Sequence, residues 1–506
     1  MSGFFNIFLI FVFSLAIRLY RLDILPGEWY GDISNVHEYV TEIFKGRWPF
    51  YFLQSPGPVY HYFIAPFILL LKLKGYEAYK FSSVFVSLIS LLAIYLFARE
   101  AFNKKIAVLT LLIASFSLWF LIWSRLGNSQ IIIPAEVALS GFFLIRFFNR
   151  KKIKDLILSL LTASFGWYTY PQTFILPVFI FIFLLTYLFL RLKFSPASRQ
   201  SSLALAVFLI GLLPMLFIIK NQAKGMAGNF SSTGYVGSKV LPVLKLKKGE
   251  FISKLSINMA KTLLMFNVRG DNSFRVNIAG HTQLDKISGF LLLIGLIYLY
   301  QKKRHYFWLF VISFLVLSLP SVSPAIPDAE IPNSARTIGV IPFIYTAVAL
   351  GFYQLFIIIK KKFRAFSTIF FTVVFMLIAF INIKDYFFVY SSGLPDDNLG
   401  PSNIIASFLD KKVPRDYKLY FAECCWGNYG QPEPKGIAYS LKKSRTVDYS
   451  RLITGCSDLD YFPLAIVMRH EDKLKNEFTA CISGARQMKI YSQDGIFISN
   501  LYLLEE

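Results

Sequence analysis

The sequence predicts a polytopic α-helical membrane protein of about eleven transmembrane helices, followed by a small α/β extracytoplasmic domain. Three observations predict it. The 506 residues are 55% hydrophobic and 17% aromatic, whereas soluble domains hold about 45–50% apolar residues. Apolar runs of membrane-crossing length recur through residues 1–387, with short basic clusters between them. Beyond residue 388 the apolar runs shrink to strand length. The formal net charge of +23 is no sign of nucleic acid, because the basic residues sit in those clusters rather than on one continuous face.

The first apolar segment, Gly3 to Ala16, has no basic stretch before it and no small-x-small cleavage site after it, and Arg18 and Arg21 follow. It is expected to stay as the first span rather than be removed as a signal peptide. Further spans are expected near 81–98, 106–123, 130–146, 156–170, 173–190, 203–219, 287–300, 307–320, 338–358 and 366–386. Phe63 to Leu71 is too short to cross before Lys72 and Lys74, and Pro56, Pro58 and Pro66 punctuate it. It reads as a helix lying in the interface.

With that segment left out, five basic clusters fall on one side of the bilayer. They are Arg99/Lys104/Lys105, Arg150/Lys151/Lys152/Lys154, Arg191/Lys193/Arg199, Lys302/Lys303/Arg304 and Lys360/Lys361/Lys362/Arg364. The positive-inside bias makes this side cytoplasmic, with the N-terminus inside and the C-terminus outside. Residues 20–80, 220–286, 321–337 and 388–506 then share the outer side.

In the tail, Pro401-Ser402 followed by NIIASFLDKK reads as a short helix with Ser402 as N-cap. DYKLYFAEC, PLAIVMRH and DGIFISNLYLL read as strands, giving an outer α/β domain of about 110 residues. All four cysteines lie between Cys424 and Cys481, in keeping with an oxidising compartment. Four cysteines allow three pairings, and bridging the adjacent Cys424 and Cys425 is strained, which leaves two. No fixed-period repeat is visible.

The chemistry gathers in the outer segments. After Asp32, the residues Val36, Tyr39/Val40 and Ile43/Phe44 recur at helical spacing, opposite His37, Glu38, Thr41, Glu42 and Lys45. Asp32 precedes this amphipathic helix, where a carboxylate serves as a cap, as a base, or as both. Arg125 and Asn128 lie at the outer junction WSRLGNSQIIIP, where an arginine fork suits a headgroup phosphate. Tyr168 and Tyr170 in GWYTYPQTFILP are either belt aromatics or the lining of a polar-headgroup pocket. RGDNSFRVNIAGHTQLD gathers Arg269, Asp271, Arg275, Asn277, His281 and Asp285, and PSVSPAIPDAEIPNSARTIGVIP carries Asp328, Glu330 and Arg336. Arg336 is the second expectation after Asp32, with Arg269, Glu38 and Glu330 as further substrate contacts. No zinc-type His/Cys spacing and no phosphate loop of the Walker type appears. A divalent metal is the one cofactor the residues allow, with His281 as its candidate ligand.

At these residues the chain resembles the GT-C membrane glycosyltransferases of the protein O-mannosyltransferase and aminoarabinose transferase-like superfamily, glycosyltransferase family 39-like. The likeness runs over roughly residues 1–390 and rests on GDISNVHEYVTEIFKG, QSPGPVYHYFIAPFILLLKLKG and the SRLG, YTYP and SARTIGVIP junctions. It implies a GT-C fold with juxtamembrane helices in the first outer loop, and it puts the catalytic Asp at Asp32. The chain departs from the family in having Ile33 where a Glu usually follows that Asp, and SPGP in place of an HPP-like motif. The WWD-type signature of oligosaccharyltransferases is missing, which speaks against en bloc oligosaccharide transfer.

The expected function is therefore inverting transfer of a hexosyl or pentosyl group from a polyprenyl-phosphate sugar donor to a protein, lipid or glycan acceptor, at the outer face of the cytoplasmic membrane. Two rivals come from other classes. A transporter or flippase of lipid-linked substrates predicts ionisable residues near mid-span and a two-fold repeat. A non-catalytic membrane anchor would leave the work to the C-terminal domain.

Overall fold

A computed structural model describes residues 2–29, 33–47, 58–73, 75–192, 202–216, 241–422, 434–443, 446–469 and 475–505. Asp32, Cys424 and Cys425 lie outside the described residues. The chain forms two compact units. One comprises Met1–Tyr20, Tyr39–Leu70 and Lys80–Tyr390, and the other Arg21–Glu38, Leu71–Tyr79 and Ser391–Glu506.

The first unit is helical. Its chain runs through α1 (Ser2–Leu19), α2 (Ile33–Phe44, whose first half belongs to the second unit), α3 (Val59–Leu70) and α4 (Gly75–Ala101). It continues through α5 (Lys104–Phe116), α6 (Leu118–Arg125), α7 (Ile133–Arg150), α8 (Ile153–Ser164), α9 (Ile175–Leu192) and α10 (Ser202–Leu216). The one-turn α11 (Leu241–Leu244) and α12 (Lys248–Leu264) precede α13 (Lys286–Lys302), α14 (Arg304–Val322), α15 (Ile341–Lys362) and α16 (Arg364–Lys384). Among the described residues five helical segments are long and apolar enough to cross a membrane, or six if the bent pair α5 and α6 counts as one span. Residues 6–19 of α1, α3, residues 175–187 of α9, and α10 are shorter apolar helices.

The helix positions follow the sequence reading with three differences. The expected span 106–123 is broken at Ser117, where α5 and α6 meet at 62°. Leu118 N–H, freed by the break, donates to Asn382 Oδ1 at 2.7 Å. The segment expected as an outer loop at 220–286 contains α12, which Asn258 ties to the Val322 carbonyl of α14 at 3.1 Å. The expected span 156–170 ends its α-helix at Ser164 and finishes in a 3₁₀ turn, Phe165–Tyr168. α3 is 12 residues long, about 18 Å at the α-helical rise, too short to cross.

α13 and α15 pack backbone to backbone. A Cβ on Gly295 would lie 1.9 Å from the Ala347 carbonyl oxygen, and one on Gly351 would lie 2.0 Å from that of Leu291. This is the small-residue contact by which helices approach closely in lipid.

The second unit carries a five-stranded sheet of β1 (Lys418–Ala422), β2 (Val447–Ile453), β3 (Leu464–Arg469), β4 (Arg486–Tyr491) and β5 (Phe497–Leu504), in the order β2-β1-β3-β5-β4. β1 is parallel to β2 and β3, while β5 runs antiparallel to β3 and β4. Strand alternation feeds two cores. Leu419, Phe421, Ala465, Val467, Leu501 and Leu503 join α17 (Pro401–Lys412) and α18 (Pro434–Ser440) on one face. Tyr420, Leu464, Ile466 and Tyr502 meet Phe478 of α19 (Lys475–Ile482) on the other.

The three expected strands correspond to β1, β3 and β5, whereas β2 and β4 escaped the sequence reading. Ser402 is not the N-cap. Gly400 holds that position in a left-handed conformation (φ 66°) that a glycine adopts freely, and Ser402 sits inside the first turn, its N–H donating to Glu28 Oε2 at 2.8 Å. The cysteine elimination also fails: Cys456 bridges Cys481, a pairing that belongs to neither of the two arrangements retained. The strain of a Cys424–Cys425 bridge bears on those two residues only and does not forbid the remaining pair from joining.

Candidate functional site

In the helical unit, the polar loops before α13 and α15 fold onto each other. The first turns back on itself where Gly280 N–H bonds the Asp271 carbonyl at 2.8 Å. Gly270 must lack a side chain there, since a Cβ would meet the His281 carbonyl oxygen at 2.0 Å. Asp271, only 2% exposed, reaches across to the second loop. Its Oδ1 accepts from Ser273 N–H at 2.8 Å, and its Oδ2 accepts from Ser334 N–H at 2.7 Å and from Ser334 Oγ at 2.9 Å. Burial pushes this carboxyl above the usual carboxylate range, against the lowering pull of the Ser273 and Ser334 hydrogen bonds and the Arg336 charge.

Arg336 follows two residues after Ser334. Its Nη2 donates to Glu330, while its buried Nη1 has no hydrogen-bond partner among the described residues. A guanidinium fixed by one carboxylate with a second donor free is suited to an incoming anion. Glu330 is thus Arg336's partner. Arg269 is exposed, and its Nη2 lies 3.5 Å from Asn272 Oδ1.

Among the described residues His281 has one carboxylate neighbour and no further metal-type ligand. Its Nδ1 lies 2.8 Å from the Thr282 carbonyl and its Nε2 lies 3.8 Å from Asp385 Oδ2. No group of three His, Cys, Asp or Glu side chains with metal-binding placement occurs among the described residues.

Arg125 has a different task from the one expected. It is fully buried, and its Nη1 donates to the Ile17, Arg18 and Tyr20 carbonyls at 2.9, 3.0 and 2.7 Å. It caps the end of α1 and lies over the Tyr386 ring at 5.0 Å. Asn128 caps the short turn Ser129–Ile132. Tyr168 is likewise a tie, donating to the Gly211 carbonyl of α10 at 2.6 Å. Tyr170 precedes the turn Pro171–Phe174, with its carbonyl accepting from Thr173 Oγ1 at 2.7 Å.

Lys80 and Glu136 are buried ionisable groups of the bundle that lie outside the expected site residues. Lys80 on α4 is 1% exposed, and Glu136 on α7 is 6% exposed. An ionisable side chain inside an apolar run is itself the signal, since burial of a charge is costly unless it has a task. Glu136 was legible in IIIPAEVAL on that ground, whereas Lys80 in GYEAYK passes for a polar helix start.

In the second unit, the residues on both sides of the 30–32 segment are held by the C-terminal domain. Glu28 accepts from Ser402 N–H as described above. Trp29, 2% exposed, donates from Nε1 to Ser440 Oγ at 3.0 Å and stacks on Tyr76 with centroids 5.2 Å apart. His37 lies 4.2 Å from the Tyr439 ring and bonds the Tyr79 hydroxyl at 2.9 Å. Glu38 accepts from Tyr439 Oη at 2.7 Å and Lys435 Nζ at 2.8 Å. Burial alone would raise its carboxyl, but the Lys435 and Tyr439 hydrogen bonds and the Lys435 charge outweigh it and hold it below the usual range. Glu38, expected as a substrate contact, is engaged by its own chain. Asp32, the residue just before α2, lies outside the described residues.

An apolar helical bundle with folded polar loops and an appended α/β domain defines the class: a multi-pass membrane protein with a GT-C-type glycosyltransferase fold. Residues 55–218 match the family model of dolichyl-phosphate-mannose-protein mannosyltransferases. Among solved structures, the chain is similar to ArnT from Cupriavidus metallidurans bound to undecaprenyl phosphate, with a TM-score of 0.55 and 12% identity over 98% of this chain and 97% of that one. It is also similar to the archaeal oligosaccharyltransferase AglB from Archaeoglobus fulgidus in complex with an inhibitory peptide and a dolichol-phosphate, with a TM-score of 0.51 and 12% identity over 98% and 74%. No curated protein sequence matches the chain. The fold and the matched segment support the glycosyltransferase family 39-like superfamily.

Proposed function

We propose that this chain transfers a sugar from a polyprenyl-phosphate donor to an acceptor at the outer face of the cytoplasmic membrane, with inversion at the anomeric carbon. The observation that carries the reading is the whole-chain likeness to ArnT bound to undecaprenyl phosphate, supported by the mannosyltransferase family match. In this reading about eleven helices cross the bilayer, residues 1–387 form the transferase domain, and residues 388–506 stand outside.

Asp32 takes the proton of the acceptor nucleophile as that atom attacks C1. The new glycosidic bond forms as the C1–O bond to the lipid phosphate breaks, and the bonding pair leaves with the phosphate. Within the helical unit, Arg336 is the candidate for offsetting charge on a leaving phosphate, because its Nη1 has no hydrogen-bond partner among the described residues. Glu330 keeps the guanidinium in place, and the Asp271–Ser334 bonds set the loop that presents it. Lys80 is a second candidate for the phosphate, because a buried ammonium in a membrane bundle suits an anion.

The test is transfer from a panel of radiolabelled polyprenyl-phosphate sugars in membranes, wild type against Asp32→Asn. This substitution keeps size and removes the base, and a loss of about 10²–10⁴-fold is expected. Transfer that survives in the variant would leave Asp32 as a helix cap. Absence of transfer by the wild type with every donor would favour a transporter or an anchor instead.

A further inference from the structure

At the end of the bundle away from the 265–285 and 323–340 loops, α7, α9 and α14 enclose a cavity of about 490 Å³. Its mouth is lined by Phe148, Asn149, Tyr187, His305 and Tyr306. Its inner wall, Ile145, Phe179 and Leu309, is shared with a narrower apolar pocket that continues to Leu317 and Phe343. From His305 to Leu317 along α14 the track spans about 18 Å, more than half of a bilayer's hydrocarbon core. The volume is in the range of roughly 300–1,000 Å³ that holds small ligands.

The charge beside the mouth is cationic: Lys151 lies over the mouth residues Phe148 and Tyr187, Arg304 directly precedes His305, and Glu100, which accepts from Asn149 Nδ2 at 3.2 Å, is neutralised. Glu100 is taken by Arg150 at 3.2 Å, and Asp155 by Arg146 at 3.0 Å. Among the described residues, Lys151, Lys302, Lys303 and Arg304 then have no carboxylate within 4.0 Å. Lys151 is also pre-placed. It closes α7 in a left-handed conformation (φ 54°), donates from Nζ to the Tyr187 hydroxyl, and lies over the Phe147, Phe148 and Tyr187 rings at 6.0, 5.7 and 5.0 Å. A fixed ammonium at the rim of an apolar track matches an amphiphile with a negative head and a long tail.

We propose that this cavity binds one anionic diacyl phospholipid from the surrounding leaflet, with its phosphate among Lys151, Arg304 and His305 and an acyl chain along the track. The polar mouth lies at the end opposite the loops assigned to the donor, so this lipid is distinct from the polyprenyl-phosphate sugar.

The purified full-length protein would be examined by native mass spectrometry with phosphatidylglycerol, phosphatidylcholine of the same chains, and polyprenyl phosphate. Phosphatidylglycerol is expected to remain as a single adduct at about tenfold lower concentration than phosphatidylcholine, because both present a phosphate but the choline cation sets a like charge beside Lys151 and Arg304. Lys151→Gln combined with Arg304→Gln should remove that preference. Ile312→Trp, which fills the cavity from an exposed position and leaves the charges in place, should weaken both lipids. Equal retention of the two phospholipids, wild-type retention in either variant, or displacement of phosphatidylglycerol by equimolar polyprenyl phosphate would overturn the proposal.

Discussion

Removing the Asp271 carboxylate tests whether the two polar loops act as one structure. Asp271→Ala deprives two backbone N–H groups and one hydroxyl of their acceptor. The Ser334 hydroxyl can turn to the Val276 carbonyl, already 3.4 Å away, so the two N–H groups bear the loss. Hydrogen bonds to a charged acceptor contribute about 1.5–3 kcal/mol each, which puts the cost at about 3–6 kcal/mol. At about 1.4 kcal/mol per tenfold, the opened population should grow at least a hundredfold. Amide hydrogen exchange of peptides containing Ser273 and Ser334 reads that population directly. Ser334→Ala, which removes only the hydroxyl bond, should accelerate exchange about tenfold, as expected for about 1.5 kcal/mol. The pH dependence has a fixed sign. Because the folded-state value of Asp271 is raised, its contribution is full below the ordinary carboxylate value and declines as pH rises through the raised one. After correction for intrinsic exchange, acidification should therefore slow opening in the wild type but not in Asp271→Ala. Wild-type exchange in Asp271→Ala, or equal acceleration in the two variants, would refute this account of the loops.

The remaining predictions concern the scaffold. Gly295→Ala places a Cβ 1.9 Å from the Ala347 carbonyl oxygen and should lower the folded yield and melting temperature, at a cost of about 3 kcal/mol or more. Gly249→Ala, with nothing within 4 Å of the new Cβ, should be neutral or slightly stabilising in the same melts. The depressed Glu38 carboxyl contributes stability above its ordinary value that is lost as pH falls through the folded-state value. The melting difference between wild type and Glu38→Gln should therefore shrink in acid and hold steady near neutrality. The Cys456–Cys481 bridge closes a 25-residue separation, so Cys456→Ser should destabilise the second unit by about 3.5 kcal/mol in chemical denaturation.

Much of the helical framework was legible because a bilayer leaves few choices for an apolar run. α4, α7, α14 and α15 announce themselves by length, and α2 by its period, with Val36, Val40 and Ile43 all buried. What escaped depends on partners distant in sequence. The break at Ser117 lies within an unbroken apolar run, and only Asn382, far along the chain, supplies the acceptor that makes it affordable. β4 reads RQMKIY, too polar and irregular to suggest a strand until β5 lies beside it. At the candidate site, Arg336 has an Nη1 without a partner among the described residues, while Arg125 donates to carbonyls at the end of α1. A sequence shows that an arginine is near a helix end but not which helix's carbonyls it caps.

The break between α5 and α6 has a mechanical consequence. Asn382 accepts from Leu118 N–H and donates to Asp285 Oδ2 at 2.9 Å, while Asp285 Oδ1 accepts from Ile287 and Ser288 N–H at the start of α13. A polar crossbar thus runs through the bundle and pins three helices in one register. Sliding α13 past α6 by a turn, about 5.4 Å, would strand a buried amide and a buried carboxylate oxygen together. A bundle braced in this way resists the rocking that alternating access requires. Over a working cycle the helices would act as a frame, and the motion would fall to the loops and to the lipids that come and go.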